Sequence, residues 1–302
     1  MRVLLVGANS YVGQSVAKLM LRRGFTVSAL ARTQEIAARL KDRGIAPVFG
    51  SISDIGRTTE GLRDYDACIW LSFLPLGEES AAVRALLADI EGRDKAFIFT
   101  SGTAVLGVQS EQGTRSDMSF AEDDPFIPFE PLRERVLTEH AVRAAANNGV
   151  RAIVIRPPMV WGNGGSRQIP WIFETVRKVG AACYIGYGLN AYSHVHVDDL
   201  ADVYLRALRK GKPGALYHAV AGEANFRTIA SAVADASDCP LRSVNFEEMS
   251  GLLGRSVARI GFAINSRSRC PRTHRELGWS PTHLDLIEDI RNGSYSRRFA
   301  ST

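Results

Sequence analysis

The apolar positions at the amino end of the chain predict a strand, a turn and a helix. Residues 3–6 are four consecutive apolar residues, a run short enough for a buried strand. Gly7 follows directly, Ser10 and Gly13 come at three-residue intervals, and apolar residues then recur at helical spacing. A strand–glycine–helix unit directs the free N–H groups of a helix N-terminus at a phosphate. A turn that binds no ligand remains the alternative.

The same alternation of apolar runs and amphipathic stretches continues along the chain. It predicts strands at residues 25–31, 46–49, 66–72 and 96–100, and helices at 36–43, 78–91 and 131–148. Strands that alternate with helices require a parallel sheet with right-handed crossovers. The predicted fold class is therefore α/β, a doubly wound Rossmann sheet.

The carboxyl half predicts a second unit. We expect a dinucleotide-binding domain over residues 1–157, completed by about 191–212, and a smaller C-terminal substrate-binding domain from 158–190 and 213–302. A helix over 168–179 and a last helix over 284–291 belong to this smaller domain, and the tail 294–302 is expected to fray.

The end of the second predicted strand bears on which dinucleotide would bind. NAD-binding units usually place Asp or Glu here to hold the ribose hydroxyls. This chain has Ala31, Arg32 and Thr33 instead. Without the acid a 2′-phosphate is not repelled, and the Arg32 guanidinium supplies a counter-charge, so the sequence favours NADP(H) over NAD(H). Asp54 is interpreted either as a contact to the adenine edge or as a helix cap.

Composition and charge argue against several other classes of protein. The 302 residues are 45% hydrophobic and 23% charged, with a net charge of +5. The arginines are scattered, without the run of basic residues that marks a nucleic-acid arm or a membrane-surface patch. The four cysteines lie far apart and form no C-x-x-C, and no segment approaches the roughly 20 apolar residues of a membrane span. We expect a cytoplasmic protein that acts on a small molecule.

Four later motifs then follow the first loop in a characteristic order. They are T-S-G-T-A-V-L-G at 100–107, R-P-P-M-V-W-G at 156–162, H-V-H-V-D-D-L-A at 194–201 and E-L-G-W-S-P-T at 276–282. With the loop at Gly7–Gly13, the set resembles the extended short-chain dehydrogenase/reductases, the NAD(P)-dependent epimerase/dehydratase family. The resemblance covers essentially the whole chain. It implies a nicotinamide dinucleotide cofactor and a homodimer formed through the two helices that flank the fifth strand.

The resemblance also implies which residues form the site. Ser101 and Thr103 would face the substrate, and Arg135 would occupy the position of the family's lysine. The residues expected to contact the cofactor are Gly7, Asn9, Ser10, Tyr11, Val12, Gly13, Arg32, Leu71, Ser72, Phe73, Thr100, Arg135, Pro157, Met159 and Val160.

One element of the family pattern is missing. Family members use a Y-x-x-x-K pair on the helix after the fifth strand for proton transfer, but residues 117–150 contain neither tyrosine nor lysine. With Glu139 as the glutamate that follows the lysine by one turn, Pro131 and Arg135 stand at the two positions. A second register places Phe129 and Arg133 there. No side chain in either register exchanges a proton at neutral pH.

Three functions remain open at this point. The first is a reductase of a carbonyl, imine or activated double bond that uses another donor, such as Ser101, Thr103, Tyr192, His194 or water, or a substrate reactive enough to need none. The second is an NADP(H)-binding sensor similar to the NmrA type. The third is an isomerase or epimerase.

The motif at 194–201 also allows a metal site to be considered. Its two histidines and two aspartates carry metal-ligating groups, but Asp198 and Asp199 open a predicted helix at 200–208. Capping that helix and favouring its positive end explain the acids without a metal, so none is predicted.

Overall fold

A computed structural model describes residues 1–52 and 61–299 of the chain; Asp54 lies outside them. The strands are β1 Arg2–Val6, β2 Thr26–Ala31, β3 Ala46–Phe49, β4 Ala67–Trp70, β5 Ala96–Thr100, β6 Val108–Gln109, β7 Arg151–Arg156, β8 Met159–Trp161, β9 Ala182–Ile185, β10 Ala191–His196, β11 Leu216–His218, β12 Gly222–Asn225, β13 Leu241–Val244 and β14 Ile264–Asn265. The helices are α1 Tyr11–Arg22, α2 Gln34–Asp42, α3 Leu76–Asp89, α4 Arg133–Ala144, α5 Gln168–Val179, α6 Val197–Lys210, α7 Phe226–Ser237, α8 Phe246–Leu253, α9 Leu286–Asn292 and α10 Ser294–Phe299.

Seven parallel strands form the central sheet, in the order β11-β7-β5-β4-β1-β2-β3. Strands β4 and β5 are buried along their whole length, as strands covered on both faces must be. Helices α1, α2 and α6 pack in the hydrophobic core on one face, and α3 and α4 pack in the core on the other. The predicted doubly wound Rossmann fold is confirmed.

A second core lies in the carboxyl half. Two small sheets, β12-β10-β8 and β13-β9, pack with α5, α7, α8 and α9 around it. The chain between 213 and 302 is not confined to this region, in contrast to our expectation. Strand β11 is an edge strand of the central sheet, and Leu277 and Trp279 pack in the core beneath α1 and α6.

The prediction that the tail frays from residue 294 is wrong for residues 294–299. They form α10, and the side chain of Tyr295 is fully buried. The Tyr295 hydroxyl accepts from the Gly162 N–H at 2.9 Å and donates to the Gly165 carbonyl at 2.5 Å. Because both partners lie some 130 residues upstream, no local pattern in the tail indicates this anchoring.

The predicted cap of α6 is also wrong. The helix begins at Val197, and the Nδ1 of His196 accepts the capping hydrogen bond from the Asp198 N–H. Asp199 instead accepts hydrogen bonds from the backbone N–H groups of Thr282 and His283, at 2.9 and 2.8 Å. The second acid of the motif therefore joins α6 to the segment after E-L-G-W.

Within the described residues, no helix combines the length and the apolar character that a membrane crossing needs.

Candidate functional site

The loop between β1 and α1 is built for close approach of strand and helix. Gly7 has a φ of +98°, and a Cβ added there would lie 2.8 Å from the carbonyl carbon of Leu71. A Cβ added to Gly13 would lie 2.1 Å from the Gly7 carbonyl oxygen. Both glycines are thus required by the backbone, and Leu71 acts through its main chain.

The first turn of α1 presents unpaired donors. Ser10 caps the helix, its Oγ accepting from the Gly13 N–H at 3.0 Å. The N–H groups of Tyr11 and Val12 have no acceptor among the described residues. The turn carries no acidic side chain, so the positive end of the helix is unopposed. This arrangement suits an anion such as a phosphate.

A cavity of about 1100 Å³ opens beside this loop. Its walls come from the β1–α1 loop, the ends of β2 and β4, and one side of α3. They include five of the predicted cofactor residues, Gly7, Asn9, Arg32, Ser72 and Phe73. The other predicted cofactor residues do not line it. They are Ser10, Tyr11, Val12, Gly13 and Leu71, which lie close to lining residues in the chain, and Thr100, Arg135, Pro157, Met159 and Val160, which belong to β5, α4, β8 and the turn after β7.

One arginine lines this cavity, and a second contacts the loop beside it. Arg32 is exposed, lines the cavity and has no carboxylate partner in the described part of the chain. Arg43, at the end of α2, donates from Nη1 to the Asn9 side chain at 3.1 Å. Sequence reasoning missed Arg43 because it stands 34 positions from Asn9, and only a basic residue ending the second helix could have suggested it.

Tyr11 was predicted to contact the cofactor, but its side chain fixes a neighbouring loop. The hydroxyl donates to the Gly162 carbonyl at 2.7 Å, and the ring lies against Gly165. Burial raises the pKa of this phenol, and nearby Tyr295 adds to the effect. Only the Tyr11 backbone N–H is free for a ligand, so the side-chain part of the prediction is corrected.

The hydroxyl cluster at the end of β5 is mostly paired internally. Thr100 Oγ1 lies 2.7 Å from the Tyr204 hydroxyl, and Thr103 Oγ1 lies 2.9 Å from Ser266 Oγ. Ser101 is 2% exposed, and its Oγ has no partner among the described residues. An unpaired buried hydroxyl is costly, which makes Ser101 the member of the cluster best suited to meet a ligand.

Helix α4, where the resemblance places the family's proton donor, carries buried ion pairs. Arg135 Nη2 lies 2.9 Å from Glu79 Oε2, and Nη1 lies 3.5 Å from the Thr100 carbonyl. Burial lowers the pKa of Arg135 and raises that of Glu79, and the ion pair opposes both shifts. Since Arg135 is buried and Arg133 exposed, the register that pairs Pro131 with Arg135 is favoured.

Glu139 forms a second buried pair, one turn further along α4. Its carboxylate accepts from Arg156 Nε at 2.9 and 3.1 Å and from Arg156 Nη2. Both side chains are almost completely buried. The pair ties α4 to the end of β7 and leaves Glu139 no free oxygen for substrate chemistry.

The other candidate donors are engaged as well. The Tyr192 hydroxyl donates to the Ile260 carbonyl at 2.9 Å, and burial raises its pKa. His194 Nδ1 accepts from the Trp161 indole at 3.1 Å, and burial lowers the histidine pKa to about 4. His194 is therefore neutral at pH 7 and can donate only from Nε2.

Comparison with known proteins agrees with this geometry. Residues 3–220 match the family described as the NAD dependent epimerase/dehydratase family. The chain belongs to this family. An uncharacterized protein of Schizosaccharomyces pombe is 30% identical over 98% of this chain and 100% of its own length. The sterol-4-alpha-carboxylate 3-dehydrogenase of Dictyostelium discoideum is 26% identical, over 73% of this chain and 71% of its own.

Solved structures share the fold over nearly the whole length. The dTDP-glucose 4,6-dehydratase of Bacillus anthracis, solved with NAD, has a TM-score of 0.77 and 15% identity, covering 98% of this chain and 96% of that one. The human epimerase family protein SDR39U1, solved with NADPH, has a TM-score of 0.74 and 20% identity, covering 100% and 99%.

Proposed function

We propose that the protein is an NADP(H)-dependent reductase of a small organic metabolite, acting on a carbonyl, imine or activated double bond. The observation that carries the proposal is the pairing of two features at one cavity. The free N–H groups open α1, and Arg32 stands where NAD-binding units place an acid. Family membership and the human structure solved with NADPH support the same cofactor class.

The chain offers a binding group for each charged part of NADP(H). The N–H groups of Tyr11 and Val12 would hold the pyrophosphate, and Arg32 would hold the 2′-phosphate with Arg43 nearby. When bound, NADPH supplies the hydride for the reduction. Excluding a 2′-phosphate would require an acid at position 32, and there is none.

The substrate side of the proposal rests on Ser101. Its unpaired Oγ at the end of β5 would donate a hydrogen bond to the substrate heteroatom and hold the acceptor carbon in place. Arg135 stays charged and lacks an acceptor atom, so it stabilises negative charge but does not act as a base. A bound water or the Ser101 hydroxyl would then complete protonation, which suits an already reactive acceptor.

An NADP(H)-binding sensor is the second candidate. It is favoured by one observation, that the charged groups on α4 at the usual donor position are consumed in structural ion pairs. Such a protein would bind the cofactor by the same contacts and turn nothing over.

Titration of the protein with NADPH and NADH, followed by nicotinamide fluorescence, tests the cofactor. We expect tighter binding of NADPH, and loss of that preference in Arg32→Ala. Tighter NADH binding by the wild type would contradict the assignment.

A turnover screen with aldehydes, ketones, imines and enones separates enzyme from sensor. Oxidation of NADPH with one class, reduced at least 100-fold in Ser101→Ala at unchanged NADPH affinity, is expected of the reductase. Tight binding with no oxidation by any class would favour the sensor. Ser250→Ala, on α8 and outside the cavity, is the matched control for loss of a hydroxyl.

A further inference from the structure

The aromatic ring of Phe73 contacts two arginines at the edge of the cofactor cavity. Phe73 follows β4, lines the cavity and is 53% exposed. The guanidinium carbon of Arg167 lies 4.6 Å from the ring centroid, and that of Arg135 lies 5.0 Å from it. Both distances fall within the range of cation–π contacts, so the ring fixes the position of both charges.

The two charges differ in how they are balanced. Arg135 is buried and paired with Glu79 at 2.9 Å. Arg167 is exposed, and no carboxylate or carbonyl partner for it is found among residues 1–52 and 61–299. Two neighbouring cations repel each other, and Arg167 indeed adds to the lowering of the Arg135 pKa that burial begins. A bound anion would relieve this repulsion.

The loop that precedes Arg167 is held against the first residue of α1. Arg167 follows the Gly162–Gly165 loop, which the Tyr11 and Tyr295 hydroxyls hold by hydrogen bonds. Gly165 packs on the Tyr11 ring, and the Tyr11 N–H is one of the two unpaired donors. On the other side, a Cβ added to Gly7 would lie 2.9 Å from the backbone nitrogen of Ser72, so the residue before Phe73 packs against the β1–α1 loop. The Arg167 guanidinium, 4.6 Å from the Phe73 ring, therefore lies at the side of the cavity that this loop forms.

We infer that Arg167, stacked on Phe73, completes an anion subsite with the N-terminus of α1, and that this subsite takes the pyrophosphate of the dinucleotide. The inference rests on the proposed function. The α1 N–H groups would contact one side of the pyrophosphate and the Arg167 guanidinium the other. A planar guanidinium bonds two phosphate oxygens at once, and its weak hydration allows it to rest on a ring while doing so. An anionic group of the substrate is the other source of the same chemistry.

Calorimetric titration of wild type and Arg167→Gln with NADPH and with adenosine 2′-monophosphate tests this subsite. The second ligand has the 2′-phosphate but no pyrophosphate. We expect about a tenfold weaker affinity for NADPH in the variant and an unchanged affinity for adenosine 2′-monophosphate. Arg167→Lys should recover part of the lost NADPH affinity. Raising the salt concentration should reduce the difference in NADPH affinity between wild type and Arg167→Gln.

Arg177→Gln is the matched control, because Arg177 is an exposed arginine on α5 that pairs with Glu174. It should bind NADPH like the wild type. Equal affinity of Arg167→Gln and wild type for NADPH would overturn the inference, and a raised KM for an anionic substrate in that case would identify the substrate as the source. Equal weakening for both nucleotides would also overturn it. Failure of the wild type to bind NADPH would instead refute the proposed function.

Discussion

Two places at the carboxyl edge of the central sheet have been treated differently in this chain. At the β1–α1 loop the backbone donors are left open, and Arg32 lines the adjoining cavity of about 1100 Å³. At the start of α4 the charged groups are closed into the buried pairs Arg135–Glu79 and Glu139–Arg156. The first place keeps hydrogen-bond donors that suit an anion. The ion pairs of the second join α4 to α3 and to β7.

The difference shows how the charged side chains of one helix can be committed to packing while a neighbouring loop keeps open donors. Arg135 is buried, and its charge is matched by Glu79 from α3. That carboxylate also accepts from the Trp70 indole at 3.4 Å, so the pair joins α3, α4 and β4. Such pairs are hard to alter singly, because removing one partner leaves a buried charge uncompensated.

The largest effect is expected from breaking the buried Glu139–Arg156 ion pair. Glu139→Ala leaves the Arg156 guanidinium buried without its partner, and we expect a loss of about 3–5 kcal/mol in the free energy of unfolding. Urea denaturation measures it. Glu35→Ala, which removes an exposed pair to Arg39, should cost at most about 0.5 kcal/mol. Similar losses in the two variants would show that the Glu139–Arg156 pair does not stabilise the fold more than an exposed pair does.

A smaller loss is expected at the loop itself. Gly13→Ala places a methyl group 2.1 Å from the Gly7 carbonyl, so strand and helix must separate. We expect about 2 kcal/mol of destabilisation together with a tenfold or greater loss of NADPH affinity. Gly251→Ala, where no atom lies within 4 Å of the added group, is the control. It should leave NADPH affinity unchanged and, because Gly251 is an exposed position of α8, should not destabilise the fold. Unaltered NADPH binding in Gly13→Ala would count against the loop as the cofactor site.

The fold could be predicted because its signals are local. Strands 46–49 and 96–100 and the helix over 168–179 occur at the predicted bounds. Alternating strands and helices leave few ways to form a parallel sheet, so local patterns were enough for the central topology. The edge strand β11 was assigned to the wrong region, because a short apolar run does not show which sheet it joins.

The site could be predicted only where a backbone motif forms it. Gly7, Ser10 and Gly13 have fixed spacing, and the structure gives each a local role. The partners of Arg43, Arg135 and Tyr295 lie tens of residues away, and a single sequence contains no measure of that proximity. The same limit explains Thr103, whose hydroxyl is paired with Ser266, 163 positions downstream.

The pH dependence of stability should reflect the buried histidines His194, His196 and His218, since burial lowers the pKa of all three. Burial lowers the pKa of His194 to about 4 and that of His218 to about 3, against 6.5 in the unfolded chain. Below pH 6.5 the unfolded chain therefore binds protons that the folded protein does not, so the free energy of unfolding decreases as the pH is lowered. Between pH 7.5 and 5.5 His194 and His218 should each cost about 1.4 kcal/mol. Urea denaturation at both pH values measures the loss.

His218→Asn should reduce the loss of stability between pH 7.5 and 5.5 by about 1.4 kcal/mol, whatever its effect on stability at pH 7.5. Exposed His140 supplies the control, and His140→Gln should keep the wild-type dependence. An unchanged dependence in His218→Asn would mean that this histidine is protonated as readily in the folded protein as in the unfolded chain.

The smallest effect is expected from Arg43, which touches the loop through Asn9 and the Ala8 carbonyl, at 3.1 and 3.5 Å. If Arg43 helps Arg32 to hold the 2′-phosphate, Arg43→Gln should weaken NADPH binding about threefold and leave NADH binding unchanged. Lys41→Gln, on the same helix, controls for the loss of one positive charge. Equal weakening for the two nucleotides would show that Arg43 orders the Asn9 loop without contacting the 2′-phosphate. Recognition of the 2′-phosphate would then depend on Arg32 alone.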